Sequence, residues 1–296
     1  MDRRNFLGSM GLLGAAAFLP GTAFSMSAKA RFKMGLQLYT IHNDMEMDTR
    51  GTLKTVKASG FEDFEVFGFD AEKGTIYGQK PSEFKKLLED LQLTASSGHF
   101  GFAPHLGGTD AEMTRFVDQC IKAAKAMDLK YITWPTLAPE QRNLENFMLL
   151  AHKLNGIGEQ ITSAGLGFAF HNNGFEFQKH AGTTLYELIL KETDPQLVKL
   201  QLDMYWAIHS GIPPKELVKK QPGRFVMWHI KDMDKITRDY TELGNGSINY
   251  PDILPDPKES GLEFYYLEQG GNFAHSPMQS VAQSAAYFKK NLQRYL

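Results

Sequence analysis

The chain has 296 residues and a single cysteine, Cys120, with 42% hydrophobic and 22% charged side chains and a formal charge of -2. One cysteine excludes an internal disulfide and a thiolate-rich zinc site, and the near-neutral balance lacks the clustered Lys and Arg that nucleic acid or an acidic membrane surface requires. The length suits one large α/β domain binding a small neutral or weakly charged ligand.

The first thirty residues carry Arg3 and Arg4, then a Gly- and Ala-rich apolar stretch, then Ala28-Lys29-Ala30 as a small-x-small cleavage point. This order predicts a removable export leader of the twin-arginine kind over residues 1–30 and a periplasmic mature protein over 31–296. The apolar stretch is too short and too interrupted to hold a bilayer, so no stable membrane anchor is expected. Removing the leader takes away three positive charges and one negative, moving the formal charge from -2 to -4.

Short runs rich in Val, Ile, Phe and Tyr then alternate with segments of helical period. The predicted strands are 34–40, 63–67, 93–98, 131–134, 167–171, 199–203, 225–231 and 264–268. Predicted helices include 81–90, capped by Ser82, with Phe84, Leu87, Leu88 and Leu91 on one face. Another is 143–163, with Leu150, Leu154, Ile157 and Ile161 as its stripe. Cys120, within an apolar helical pattern, reads as a buried structural thiol. Residues 242–259, with their Gly, Asn and Pro content, read as a long loop before the last strand.

Eight such units can close into a barrel or stay an open doubly wound sheet. No GxGxxG or Walker sequence follows any strand, which weakens the nucleotide-binding open sheet. Polar or aromatic residues recur at the carboxyl ends of the strands: Gln37, Glu65, His99, Trp134, His171, Asp203, His229 and Glu268. Active sites of (β/α)₈ barrels lie on that rim, so the reading is a single (β/α)₈ TIM barrel.

His171, Asp203, His229 and Glu268 close four consecutive strands, spaced by 32, 26 and 39 residues. Two imidazoles and two carboxylates on one side of a rim suit a divalent ion such as Mn, Co, Zn or Fe. Burying such groups inside a barrel is costly unless they are paired or metal-bound.

The runs Gly35-Leu36-Gln37-Leu38-Tyr39-Thr40, Glu65-Val66-Phe67-Gly68, Phe170-His171-Asn172-Asn173-Gly174-Phe175-Glu176-Phe177, Leu202-Asp203 with Trp206, His229-Ile230-Lys231-Asp232 and Leu267-Glu268 resemble the sugar phosphate isomerase/epimerase family. These xylose-isomerase-like barrels include ketose 3-epimerases and inosose dehydratases. The resemblance spans roughly residues 33–295 and implies ligands Glu, Asp, His and Glu on strands five to eight. Asp203, His229 and Glu268 match; His171 stands where the family often has glutamate. In ketose epimerases that glutamate and the strand-eight glutamate form an acid/base pair, so the substitution moves the expected reaction away from two-glutamate epimerisation.

A metal coordinated by a carbonyl and its neighbouring hydroxyl would acidify the adjacent C–H, giving enediolate chemistry. Glu268, Lys231 and His99 are the expected catalytic groups, and Gln37, Glu65, Trp134, Asn173 and Trp206 the expected sugar contacts. Lys231 shares a strand face with His229; its bland reading is an ion pair with Glu268 or Glu65, and Asp232 is the residue expected to orient it. Tyr39, Phe67, Phe100, Phe102 and Tyr205 add aromatic surface near the rim. Export and the lack of a phosphate-cradling loop favour a nonphosphorylated sugar or keto-sugar. Elimination or hydration of a 3-keto-glycoside is the alternative reaction, and a noncatalytic exported sugar-binding barrel the rival class. An oligomer is compatible with the sequence.

Overall fold

The computed structural model describes residues 32–296; the expected leader lies outside them. Eight parallel strands close a barrel: β1 Gly35–Gln37, β2 Asp63–Val66, β3 Thr94–His99, β4 Tyr131–Trp134, β5 Gly167–His171, β6 Lys199–Asp203, β7 Met227–Ile230 and β8 Phe264–Leu267. Closure is made by β1, which pairs with β8 through Gly35 and Tyr266 and with β2 through Gly35 and Asp63. The outer layer comprises α1 Thr49–Ala58, α2 Pro81–Asp90, α3 Asp110–Met127, α4 Leu144–Ser163, α5 Leu185–Glu192, α6 Met204–His209, α7 Pro214–Lys220 and α8 Pro277–Asn291. Among the described residues no helix is long and apolar enough to cross a membrane.

The alternation of side chains along each strand produces two cores. Outward residues such as Phe64, Ile132, Phe168, Leu200, Trp228 and Leu267 pack against the helices. The α4 stripe of Leu150, Leu154, Ile157 and Ile161 is buried as its spacing predicts; truncating one to alanine costs about 2–5 kcal/mol. Cys120 is buried within α3. Tyr131, Ala169, Val226, Met227 and Tyr266 form a smaller cluster of their own. Gly35 is required by this packing, since a Cβ there would lie 2.2 Å from the Tyr265 carbonyl oxygen and 2.6 Å from the Tyr266 ring.

Four local expectations are corrected. The first strand was expected to run to Thr40, but the chain turns into a 3₁₀ helix at Leu38–Ile41 because Gln37 Oε1 accepts the Tyr39 N–H. The seventh strand, expected over 225–231, is confined to Met227–Ile230. Lys80, not Ser82, is the cap residue of α2: Pro81 takes the first helical position and the Glu83 carboxylate accepts the Lys80 N–H at 3.2 Å. The loop over 242–259 contains two short helices, Tyr250–Ile253 and Pro257–Ser260, each with a proline in its first turn.

A bulge in the β2–β3 register at Phe64/Glu65 has a direct consequence for the site. It lets consecutive residues on β3 serve two different carboxylates: Ser96 donates to Asp63 and Ser97 to Glu65.

Candidate active site

The floor of the site is organised around Glu65, which is fully buried. Its Oε1 accepts from Ser97 Oγ and Gln201 Nε2, both at 2.7 Å. Its Oε2 accepts from Gln37 Nε2 and His229 Nε2, both at 2.6 Å, with His99 Nε2 at 3.0 Å. Burial alone would raise this carboxyl, but His99 and His229 outweigh it and hold it well below the usual carboxylate range.

Above this floor four ligand-type atoms converge, from His171, Asp203, His229 and Glu268, all within 4.8 Å of one another. The His171 ring is fixed by its other nitrogen: Nδ1 lies 2.9 Å from the Pro135 carbonyl, which can only accept, so Nδ1 carries the proton. Burial pushes this imidazole down to about 4, with Asp203 only partly offsetting it. The neutral ring therefore turns the Nε2 lone pair toward Asp203 Oδ2, 3.3 Å away. Two acceptors facing each other in a dry site require a cation between or beside them.

His229 repeats the arrangement with its nitrogens reversed. When Nε2–H donates to Glu65, Nδ1 faces Glu268 Oε2 at 2.6 Å and Asp203 Oδ2 at 3.7 Å. His229 Nδ1 and Glu268 Oε2 are buried and close, but poorly aligned for a hydrogen bond with each other. Both belong to the cluster of four ligand-type atoms that lie within 4.8 Å of one another. Glu268 and Glu65 outweigh burial and hold the imidazole well above its usual range, so this spot favours positive charge; a proton on Nδ1 and a divalent ion are its two forms. The donor set of two imidazoles and two carboxylates fits a divalent ion of the Mn, Fe, Co, Zn group. The second nitrogen of each imidazole is oriented by an oxygen acceptor, as ligating histidines require.

Lys231 completes the electrostatics. Its Nζ lies 2.7 Å from Asp203 Oδ2 and 2.9 Å from Glu268 Oε2, and these carboxylates outweigh burial to raise the ammonium above its usual range. In return Lys231 and His229 overcome the burial that would raise Glu268 and hold it at about 2. Asp203, buried beside Lys231 and both histidines, is likewise depressed well below the carboxylate range. Its backbone is clamped by Asn172, whose amide donates to the Asp203 carbonyl at 3.1 Å and accepts the Asp203 N–H at 3.0 Å.

The structure thus gathers His99, His171, Asp203, His229, Lys231 and Glu268 at one end of the barrel. The ion pair with Lys231 is made by Asp203 and Glu268, not Glu65. Asp232 does not orient Lys231; its carboxylate accepts the N–H groups of Met233, Gly244, Gly246 and Ile248 and holds the following loop. Gln37 and Glu65, expected to meet sugar hydroxyls, are sealed under the site with their side chains engaged by protein groups. Trp134 is also fully buried, stacked on Phe102 with its N–H on the Thr136 carbonyl, which leaves no face for a sugar ring. Phe100, Phe102 and Tyr205 are buried too, while Tyr39 is 37% exposed and Trp206 half-buried. Asn173 is half-buried, donating through Nδ2 to the Pro135 carbonyl and to Glu176.

Two supporting residues escaped the sequence reading. Gln201 joins His99 to Glu65; lying two residues before Asp203 on one strand, it faces the same way, which was the available signal. Glu176 is sealed beneath Asn173, and burial pushes its carboxyl up to about 8. Its run, Phe170 to Phe177, was singled out, but no role was given to the carboxyl.

A family model for xylose isomerase-like TIM barrels matches residues 53–291. A curated inosose dehydratase from Clostridium botulinum is 27% identical over 173 residues, covering 50% of this chain and 55% of that protein; the chain spans about half the length of the curated relatives it matches. A solved sugar phosphate isomerase/epimerase from Parabacteroides distasonis superposes with a TM-score of 0.76 at 27% identity, covering 93% of this chain and 99% of its own. The solved IolI protein with a binding zinc atom superposes with a TM-score of 0.70 at 16% identity, over 90% of this chain and 99% of its own. At that identity the likeness is one of fold.

Proposed function

The chain belongs to the xylose isomerase-like TIM barrel family, and from that premise we propose that it is a divalent-metal-dependent enzyme removing the proton next to the carbonyl of a nonphosphorylated sugar or keto-sugar. The observation that carries this reading is the pair of imidazoles turned by Pro135 and Glu65 so that His171 Nε2 and His229 Nδ1 meet Asp203 and Glu268 at one point. His171, Asp203, His229 and Glu268 would hold the ion. When bound, it would polarise a substrate carbonyl and lower the barrier to removing the adjacent proton.

The remaining chemistry falls to side chains. Glu268 is ionised beside Lys231 and sits at the edge of the buried cluster, so its position, rather than its basicity, suits it to accept the carbon-bound proton; a substrate oxygen that draws Lys231 away would raise that basicity. The Lys231 ammonium stands ready for the negative charge that then develops on the substrate oxygen. His99 is held through Nε2 by Gln201 and Glu65; its Nδ1 has no hydrogen-bond partner among the described residues and can deliver or receive a proton from a second direction. Asn173, on the loop after β5, and Trp206, in α6, flank the place where the sugar would lie.

Returning the proton to carbon gives isomerisation or epimerisation. Loss of a substituent from the neighbouring carbon gives elimination, and two observations favour this second reading: the site holds a histidine where a second acid/base carboxylate would stand, and the curated relatives are named dehydratases. Export of the mature protein to the periplasm belongs to the same proposal, resting on Arg3, Arg4 and the apolar run that follows.

The test is deuterium incorporation. Purified protein loaded with a divalent ion and incubated in D₂O with ketoses and 3-keto-glycosides should place deuterium on the carbon beside the carbonyl. Chelation should stop the exchange and ion replacement restore it. An unsaturated product identifies elimination, and a deuterated epimer or aldose identifies proton return. Full metal occupancy without exchange across the panel would leave a noncatalytic sugar-binding barrel.

A further inference from the structure

A cleft of about 410 Å³ opens beside the site, between the segments that follow β4 and β5 on one side and α6 on the other. Its volume falls within the range of small-molecule sites, roughly 300–1,000 Å³. Its walls are continuous with the metal-ligand cluster. Asn173, on one side, shares the Pro135 carbonyl with His171. Trp206, on the other, gives its backbone N–H to Asp203 Oδ1 at 3.0 Å. Tyr240 ties the cleft to the centre again, its ring edge-on to Trp206 and 5.8 Å from Lys231 Nζ.

The lining combines aromatic faces with polar groups that lack protein partners. Trp206 and Phe177 supply the rings. Gly174 keeps the β5 loop low against Trp206, since a Cβ there would come within 3.0 Å of the indole. Arg142 sits 4.2 Å over the Phe175 ring and spends Nε and Nη2 on the Leu137 carbonyl. Its Nη1, the Gln178 side-chain amide and the ring nitrogens of His209 have no hydrogen-bond partner among the described residues. No carboxylate lines the cleft. Planar donors and acceptors beside aromatic rings meet the hydroxyls and the C–H face of a pyranose together. A lone guanidinium is a poor phosphate site and repels a cation.

We infer that this cleft is a second sugar subsite, holding the glycosyl substituent of a disaccharide or oligosaccharide whose reacting ring lies against Lys231 and Glu268. The substrate class is then a glycoside rather than a free monosaccharide. The inference rests on the carbohydrate reading above and adds the substituent to it.

Tryptophan emission offers a direct readout. Of the three tryptophans, Trp134 and Trp228 are fully buried and Trp206 is half-buried in the cleft, so ligand-dependent emission reports on Trp206. The full chain, loaded with a divalent ion, is titrated with methyl β-glucoside and with cellobiose, maltose, gentiobiose and trehalose. At least one disaccharide should bind tenfold or more tighter than methyl β-glucoside and shift the emission. Arg142→Ala and Gln178→Ala, both surface changes, should each cut that preference at least fivefold. Equal affinity for the monosaccharide and every disaccharide, or a preference that survives both substitutions, overturns the subsite. Deuterium exchange on free ketoses separates the two readings. Exchange without disaccharide preference removes the subsite and leaves the function, while disaccharide preference without exchange on any ketose or keto-glycoside does the reverse.

Discussion

Glu65, fully buried, and Glu268, half-buried with its Oε2 enclosed, reach the same histidine from opposite sides, and they differ in how far the protein satisfies them. Glu65 accepts from Gln37, Ser97, Gln201 and His229 and needs nothing more. Glu268 is held by charge, its Oε2 lying 2.6 Å from His229 Nδ1 and 2.9 Å from Lys231 Nζ, but neither contact has the alignment of a full hydrogen bond. A buried polar network is normally complete. Complete satisfaction therefore marks the half of the site that supports, and incomplete satisfaction the half that expects a ligand. Asp63 extends the contrast down the barrel: fixed by Thr94 and Ser96 hydroxyls, it has its carboxyl raised by burial, whereas the carboxylates of the site are held low by cations.

The sharpest break in this comparison is Asp203→Ala. It removes a carboxylate shared by the ligand cluster and Lys231, and bound divalent metal in purified protein should fall to near zero. A variant that retains stoichiometric metal by elemental analysis would show that the cluster is held together for another purpose. Lys231→Ala should keep the ion and lower deuterium exchange by about 10²–10³, the usual effect of losing one oxyanion donor; loss of metal instead would make Lys231 part of the ion's support. Glu65→Gln tests the supporting half. It should weaken metal affinity about 10–100-fold while folding normally, as removal of a ligand-orienting group does, and a competition titration against a chelator measures it.

The smallest effect concerns Glu176. Its carboxyl binds its proton more tightly in the folded chain, at about 8, than in the unfolded chain, near 4.5. The folded state is therefore favoured at low pH, and that advantage is lost as pH rises between those values, by at most about 1.4 kcal/mol per pH unit. Glu176→Gln should flatten this part of the pH–stability curve and raise the melting temperature at pH 8. A curve parallel to that of the parent would show that the carboxyl titrates normally in the folded chain.

Most of the barrel was legible because each unit is local: a short apolar strand, a capped amphipathic helix, and a polar residue at the strand's carboxyl end. Strands β4, β5 and β6 fall on the expected boundaries, and so did the placement of His171, Asp203, His229 and Glu268 on adjacent strands. Periodicity assigns a residue to a face, and a strand end assigns it to the rim. Neither says how deep it sits. Gln37, Glu65 and Trp134 were read as sugar contacts because they end strands, but closure of β1 onto β8 and the β2–β3 bulge draw Glu65 and Gln37 below the surface, while Phe102 covers Trp134. The same tertiary packing chose Asp203 and Glu268 as partners of Lys231 and aimed the histidine nitrogens through Pro135 and Glu65. Sequence alone determined the repeating unit and the chemical types available at one end of the barrel. The tertiary structure decided which polar groups are spent on one another and which remain unmatched, because that depends on distances between residues 28 to 164 positions apart in the chain.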